Sequence, residues 1–268
     1  MNTRLPGQQS VRRAIEVLFC LENADSPASA LSAAEVATAI GLNRTTTWRY
    51  LQTLAGTGMV HDLGDGRFGL GARTVSLAEA YTRQWGELEA AAGAALVRLR
   101  DAVGETAALH LRQGGSRVVV RQVESHHELH RTYRELGRPI SLLSGAPSLA
   151  ILAALPKRER EAYVDAHAVP GTRDDVERTL TETIAQGYAV SRGARVPGVT
   201  SVAAAVRDPA GQTVAALNAT GPAERLPRER TTDVAAQVTA AAAWVEKQLA
   251  TPQGDNPQIP RTTRQDTT

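Results

Sequence analysis

The stretch 32–70 constrains this chain more than any other, because helix-boundary signals and a hairpin turn crowd into one short run. Ser32 followed three residues later by Glu35 is a capping-box pattern and predicts a helix over 33–40. Gly41 breaks that helix, Leu42 anchors the turn, and a further helix over 44–55 stops at Gly56 and Gly58. MVHDLGDGRFGLG then reads as two short strands around Asp65-Gly66, with Val60, Phe68 and Leu70 as the apolar positions. Upstream, SVRRAIEVLFCL predicts a first helix over 10–21 capped by Ser10, with Val11, Ala14, Ile15, Leu18 and Leu21 on one stripe. The turn-rich ENADSPAS separates it from the rest. Helix, tight turn, helix and hairpin add up to a winged helix-turn-helix spanning 1–71.

On the third helix Thr47, Tyr50, Leu51 and Leu54 share one face and are expected to pack inward. Arg44, Thr45, Thr46, Trp48, Arg49 and Gln52 are left for the outside. A major groove admits one helix, arginine matches the paired acceptors of guanine, and threonine reaches phosphates or a thymine methyl. The competing reading is an ordinary solvated face, and global charge favours it: basic and acidic residues balance over 1–87, and the whole chain carries only +2. Local distribution favours DNA, since residues 42–54 hold two arginines and no acid, while Arg67 is expected to project from the wing. Arg12 and Arg13 of the first helix join that DNA-facing set. Trp48, also in that set, is costly in water and is expected to pack on DNA or on a neighbouring helix, with the protein contact favoured.

The 268 residues exceed one average domain, and 42% hydrophobic residues suffice for a core in each of two. Residues 72–87 open a helical tract that breaks near Trp85 and Gly86 and are expected to serve as a linker helix. In the second domain, 88–250, ETAALHLRQ, SRVVVRQVES and ELHRTYRE read as strands. LSGAPSLAILAALP, KREREAYVDAH and RDDVERTLTETIAQG read as helices, and GYAVSRG, VTSVAAAVRD and TVAALNATG return to strands with a hairpin at 209–211. A closing helix covers 231–249, and 251–268 is a polar tail expected to be disordered. The fold class is α+β.

Other chemistries find little support. Cys20 is the lone cysteine, which forbids an intrachain disulfide or a multi-cysteine zinc site and reads as a buried, inert thiol. No run approaches the roughly 20 apolar residues of a membrane span, and the start lacks a secretory apolar core, so a cytoplasmic protein is expected. His126, His127 and His130, with Glu124 and Glu128, resemble a metal site only by proximity and are expected at the surface. Zinc-protease, phosphate-loop and nucleophile-elbow motifs are missing from the sequence, so neither catalytic residues nor a cofactor or metal are expected.

Three stretches together, SVRRAIEVL, the run from AAEVATAIGL to ARTVSLA, and GYAVSRGARVPGVTSVAAAVRDPAGQTVAALNATGPAERL, resemble the IclR family of transcriptional regulators. The resemblance implies a GAF-like effector-binding domain with a curved antiparallel sheet. It also implies dimers or dimers of dimers on palindromic operator DNA, with recognition helices about 34 Å apart. Family pockets hold small carboxylates on backbone amides before a helix, a loop that falls here on Leu143-Ser144-Gly145-Ala146-Pro147 and assigns Gly145 and Ala146. The same correspondence places Ser191, Ser201, Asn218 and Thr220 in the pocket and Arg131 near its wall. The family often has an acid where Ser191 stands and a cysteine where Ser201 stands, so relatives' ligands do not transfer. The expected regulator, a repressor, answers to a small organic acid or derivative, aromatic acids included. Two alternatives are a C-terminal domain that only oligomerises, and an enzyme.

Overall fold

The computed structural model describes residues 6–22, 29–133 and 136–251, and contacts divide the chain into two compact units at Gly86/Glu87. The tail 252–268 and the middle of ENADSPAS lie outside the described residues.

The first unit runs α1 (Pro6–Leu21), β1 (Leu31–Ser32), α2 (Ala33–Ile40), α3 (Arg44–Gly56), β2 (Val60–Asp62), β3 (Arg67–Leu70) and α4 (Arg73–Gln84). The capping box forms as the sequence predicts: Glu35 N–H donates to Ser32 Oγ, and Ser32 N–H donates to the Glu35 carboxylate at 2.7 Å. Gly41 closes α2 at φ 66°, a left-handed conformation that costs a glycine nothing. Asn43 then caps α3, its Oδ1 accepting from Thr46 N–H at 2.8 Å. Asp65 and Gly66 both take positive φ, 52° and 70°, inside a turn closed by Arg67 N–H to Gly64 O, the primed geometry that matches strand twist. The sheet order β1-β3-β2 adds a short strand, β1, that the sequence reading merged into the helix cap.

Val17, Leu21, Ala33, Val36, Leu51, Val60 and Phe68 form this unit's core, with Tyr50 and Leu54 packed on it. Two expectations need correction. Helix α1 starts at Pro6 rather than at Ser10, and its inward side is Val17 and Leu21; Val11 and Ile15, expected inside, are 62% and 43% exposed, as is Phe19. The helix is apolar on two sides, and a single stripe cannot say which one the neighbours cover. Leu70, expected as a buried wing position, is exposed. Cys20 is half-buried against the core, and burial pushes its thiol up.

The second unit opens with α5 (Gly86–Val103), separated from α4 by Trp85 in a non-helical conformation. There follow β4 (Thr106–Gln113), β5 (Ser116–Val123), β6 (Ile140–Ser141), α6 (Ala146–Ala154), α7 (Lys157–His167), α8 (Arg173–Gln186), β7 (Ala189–Arg192), β8 (Val199–Arg207), β9 (Thr213–Pro222) and α9 (Thr231–Ala250). The six strands form one antiparallel sheet in the order β6-β5-β4-β9-β8-β7. Burial along β8 and β9 is nearly continuous, which requires cover on both faces. Helix α6 packs on one side against Ala203 and Ala216, and α9 packs along the same two strands. Glu105, 1% exposed, is clamped by the Arg225 guanidinium, and both its oxygens accept from it. Gly221 is required there, since a Cβ would sit 2.3 Å from a Glu105 oxygen.

The described residues of ELHRTYRE, 128–133, do not form the expected strand. They run as an irregular segment in which side chains stand in for a ladder. Tyr133 N–H donates to Gln122 Oε1 at 2.7 Å, Gln122 Nε2 donates back to Tyr133 O, and Ser125 Oγ donates to Gly104 O. That folding brings Tyr133, 7% exposed, against Ala108, Val119 and Ile140 beneath the sheet.

Candidate functional site

Two places carry chemistry, one in each unit. In the first, α3 buries Thr47 and Leu51 completely and turns Arg44, Thr45 and Arg49 to solvent. Thr46 is half-buried beside the cap. Trp48 is 43% exposed and meets the buried Phe68 ring edge-on at 5.5 Å, so the wing strand supplies the protein contact it needs. The other basic residues are held. Arg12 and Arg13 both donate to the Glu16 carboxylate, and Arg13 also reaches the Ile40 carbonyl at the end of α2. Those two guanidiniums hold the Glu16 carboxyl below its ordinary range. Arg67 remains exposed, but its guanidinium donates to Ala30 O at 2.6 Å rather than pointing straight off the wing.

In the second unit a small cavity of about 40 Å³ opens between the α6 N-terminus, β7–β8 and the loop 193–198. Arg131, Gly145, Ala146, Ser191, Ser201 and Thr220, all singled out from the sequence, line it. Asn218 does not; it is fully buried one layer below. Register explains the convergence, because Ser191 pairs with Ser201 and Ser201 with Thr220 across neighbouring strands. Gly145, at φ 86°, brings the backbone to the cavity, and a Cβ there would stand 3.5 Å from Arg195 and 3.8 Å from Arg117. The Ala146 N–H donates to Ser191 Oγ at 3.0 Å, so the free amide expected at the helix start is presented through a hydroxyl.

Sequence reasoning missed the residues that organise this cavity. Arg117 is 1% exposed and lines it, donating from Nε to Ser148 Oγ at 2.7 Å, from one terminal nitrogen to His110 Nδ1 at 2.6 Å, and from the other to Ser144 O at 3.3 Å. His110, fully buried, sits 2.9 Å from Asn218 Oδ1 through Nε2. Asn218 Nδ2 in turn donates to Ser201 Oγ at 2.8 Å and Tyr133 Oη at 2.9 Å. Burial, then the Arg117 charge, hold His110 well below its ordinary pKa, so it is neutral; burial pushes the Tyr133 hydroxyl up. Arg131 stacks its guanidinium over the Tyr133 ring at 4.8 Å. The one available signal was an arginine, Arg117, directly before the apolar run of Val118, Val119 and Val120.

Of the histidines at 126–130, His130 donates from Nδ1 to His127 O and its Nε2 lies 3.1 Å from Glu124, contacts that raise its pKa, and His126 lies 3.8 Å from Asp101. Among the described residues no group of three potential metal ligands occurs, and no helix is long and apolar enough to cross a membrane.

Comparison with known proteins agrees with this layout. Residues 10–64 match the IclR helix-turn-helix domain and 82–247 the bacterial transcriptional regulator IclR C-terminal domain. The HTH-type transcriptional repressor AllR of Klebsiella pneumoniae is 30% identical over 234 residues, 84% of either chain. The crystal structure of the Thermotoga maritima IclR superposes with a TM-score of 0.75 at 23% identity, covering 91% of this chain and 100% of that one. An IclR homologue from Microbacterium hydrocarbonoxydans, crystallised with 4-hydroxybenzoate, superposes with a TM-score of 0.70 at 21% identity over 90% and 98%. With both halves of the pattern matched in order along one chain, this protein belongs to the IclR family of DNA-binding transcriptional regulators.

Proposed function

We propose that the protein is a cytoplasmic repressor, not an enzyme, that grips operator DNA with α3 and releases it when a small organic acid fills the cavity of the second unit. Arg44, Thr45 and Arg49 read the major groove, Thr46 and Trp48 border that surface, and Arg12, Arg13 and Arg67 serve phosphates, the last three giving up part of their present pairing to do so. Two such helices on a homodimer, or four on a dimer of dimers, supply the phosphate contacts that one copy lacks. The residues 72–87 act as the linker, and 88–250 as the effector domain.

The cavity carries this reading: a buried guanidinium, the Ser191 and Ser201 hydroxyls and a helix start converge on one space. Its present volume is far below that of a typical ligand site, so binding requires the wall to move, and the segment 193–198, with glycines at positive φ at both ends, is the part able to do so. A ligand that prefers the opened arrangement shifts operator affinity by its differential affinity, typically about 1–3 kcal/mol. The carboxylate seen in the Microbacterium relative makes aromatic acids a reasonable first series.

The test joins two measurements on the full chain. Duplexes selected from a random pool give the operator, and a thermal-shift screen of small carboxylates gives the ligand; a compound at 100 times its Kd adds about 2.7 kcal/mol. The reading requires that the stabilising acid also weaken operator binding at fixed salt. Stabilisation by neutral or cationic compounds alone would overturn it.

A further inference from the structure

Helix α9 is covered on one side only. Val234, Ala235, Val238, Ala242 and Val245 are buried where the helix packs along β8 and β9. The opposite side presents Asp233, Ala236, Gln237, Ala240, Ala243 and Lys247 to solvent, with Trp244 half-buried on its flank. The other solvent-facing helices of this unit are densely charged and pair their own charges, Lys157 with Glu161 on α7 and Arg173 with Glu177 on α8. From Val234 to Val245 α9 carries no charge, although its outer side meets water.

Beside that side runs a groove of about 210 Å³ between α5 and α9, with Leu99, Ala240 and Trp244 in its lining. Arg98 lines it too, its guanidinium 4.7 Å above the Trp244 ring, and the neighbouring Val97 is 41% exposed. A tryptophan and an arginine around an apolar floor are the residues that most often anchor protein interfaces. The ends of the face identify the occupant. Asp233 and Lys247 stand seven residues to either side of Ala240 on the same outward side, and among the described residues neither has an ion-pair partner in its own chain. A second α9 laid antiparallel, with a two-fold axis at Ala240, sets each Asp233 opposite the partner's Lys247 and each Trp244 over the partner's Ala236. Alanine meets alanine at the axis, which allows the helices to approach to the short end of the usual range of about 8–10 Å. Parallel pairing would oppose Asp233 to Asp233 and Lys247 to Lys247.

We infer that the outward side of α9, with the α5–α9 groove beside it, is a two-fold interface to a second copy of this chain, its register set by Asp233 and Lys247 around Ala240. The interface needs neither DNA nor a filled cavity, so it stands or falls apart from the effector reading. The facing stretch 233–247 is only about 21 Å of helix, a contact of the size that associates and separates with concentration. An acid at the start and a base at the end of α9 would also suit the helix dipole within one chain, and the experiment separates that account from pairing between copies.

The test is sedimentation equilibrium of the full chain over roughly 1–100 μM, without DNA or added ligand, the range in which a small interface assembles. Wild type is expected to show an association step that Ala240→Glu, which sets two carboxylates against each other at the axis, moves to at least about tenfold higher concentration. Asp233→Lys and Lys247→Asp each turn two attractions into two repulsions and should each weaken the step about tenfold. Combining them restores opposite charges across the axis, and association should return to within about threefold of wild type. The dipole account predicts the reverse, with the double variant the worst of the set. Association through any other surface adds mass that none of these changes moves. Absence of a step, a step unaltered by Ala240→Glu or by the single charge reversals, or a double variant as weak as the singles would each overturn the inference. Should a reversal unfold α9, Asp233→Asn and Lys247→Gln replace it: each should weaken the step about threefold, and the two together no more than either alone, because they remove the same contacts. Additive losses would refute the pairing.

Discussion

The outer side of α3 and the cavity of the second unit bear the two halves of the proposed function, yet they are built in opposite ways. On α3 the residues offered to a partner, Arg44, Thr45 and Arg49, are exposed, while Thr47 and Leu51 hold the helix from beneath. At the cavity the polar network that supports the lining is itself part of the buried structure: Arg117, His110 and Asn218 are each at most 1% exposed. The first arrangement lets recognition change without cost to folding. The second ties them together, because a buried polar group that loses its partner keeps its desolvation penalty.

Four measurements can break or sharpen that contrast. Arg117→Met should lower unfolding stability by about 2–4 kcal/mol in urea titrations, because it strands His110 Nδ1 and the Ser144 carbonyl; a loss under about 0.5 kcal/mol would show that the cavity is as dispensable to folding as α3 is. Arg44→Ala or Arg49→Ala should each cost about 1–3 kcal/mol of operator affinity in gel-shift titrations while the urea midpoint stays put. Equal losses of stability would put those side chains in the fold rather than at the interface.

The third measurement is pH. Buried His110 refuses a proton that the unfolded chain accepts below its ordinary pKa near 6.5, so stability should fall on acidification below that point, by up to about 1.4 kcal/mol per pH unit. His130, whose pKa is raised, contributes with the opposite sign, which is why the slope is compared between wild type and His110→Gln. A shallower slope in the variant is expected, and identical slopes would remove His110 from the account. Smallest is Asn43→Ala, which deletes the α3 cap; about 1 kcal/mol of stability should go, and with it some DNA affinity, making this a position on the first unit where the two properties move together.

The same contrast explains what could be read before coordinates. The helix-turn-helix was legible because its signals are local: a capping box within four residues, a left-handed glycine and an Asp-Gly turn. The cavity-lining serines, Gly145 and Thr220 were reached through family resemblance, and the strand register that brings them together was not in any local pattern. Arg117 and His110 were missed because strands covered on both faces read as apolar runs, and nothing near His110 announces a partner 108 positions away. Helix α1 misled for a related reason, since periodicity finds apolar sides but not the neighbours that cover them. Segment 128–133 alternated like a strand, yet side-chain hydrogen bonds from Gln122 and Ser125 claimed its surroundings first.

Gly145 sets a boundary on how this receptor could be refashioned. Its positive φ of 86° strains any side chain placed there, although a methyl group would meet only ordinary contacts, 3.5 Å from the Arg195 stem and 3.8 Å from an Arg117 terminal nitrogen. That strain makes this wall costly to change, so descendants adapting to bulkier or slimmer compounds do so more readily from the facing side. Ser191 and Val199 stand there in ordinary strands, where exchanging one side chain for another leaves the main chain undisturbed.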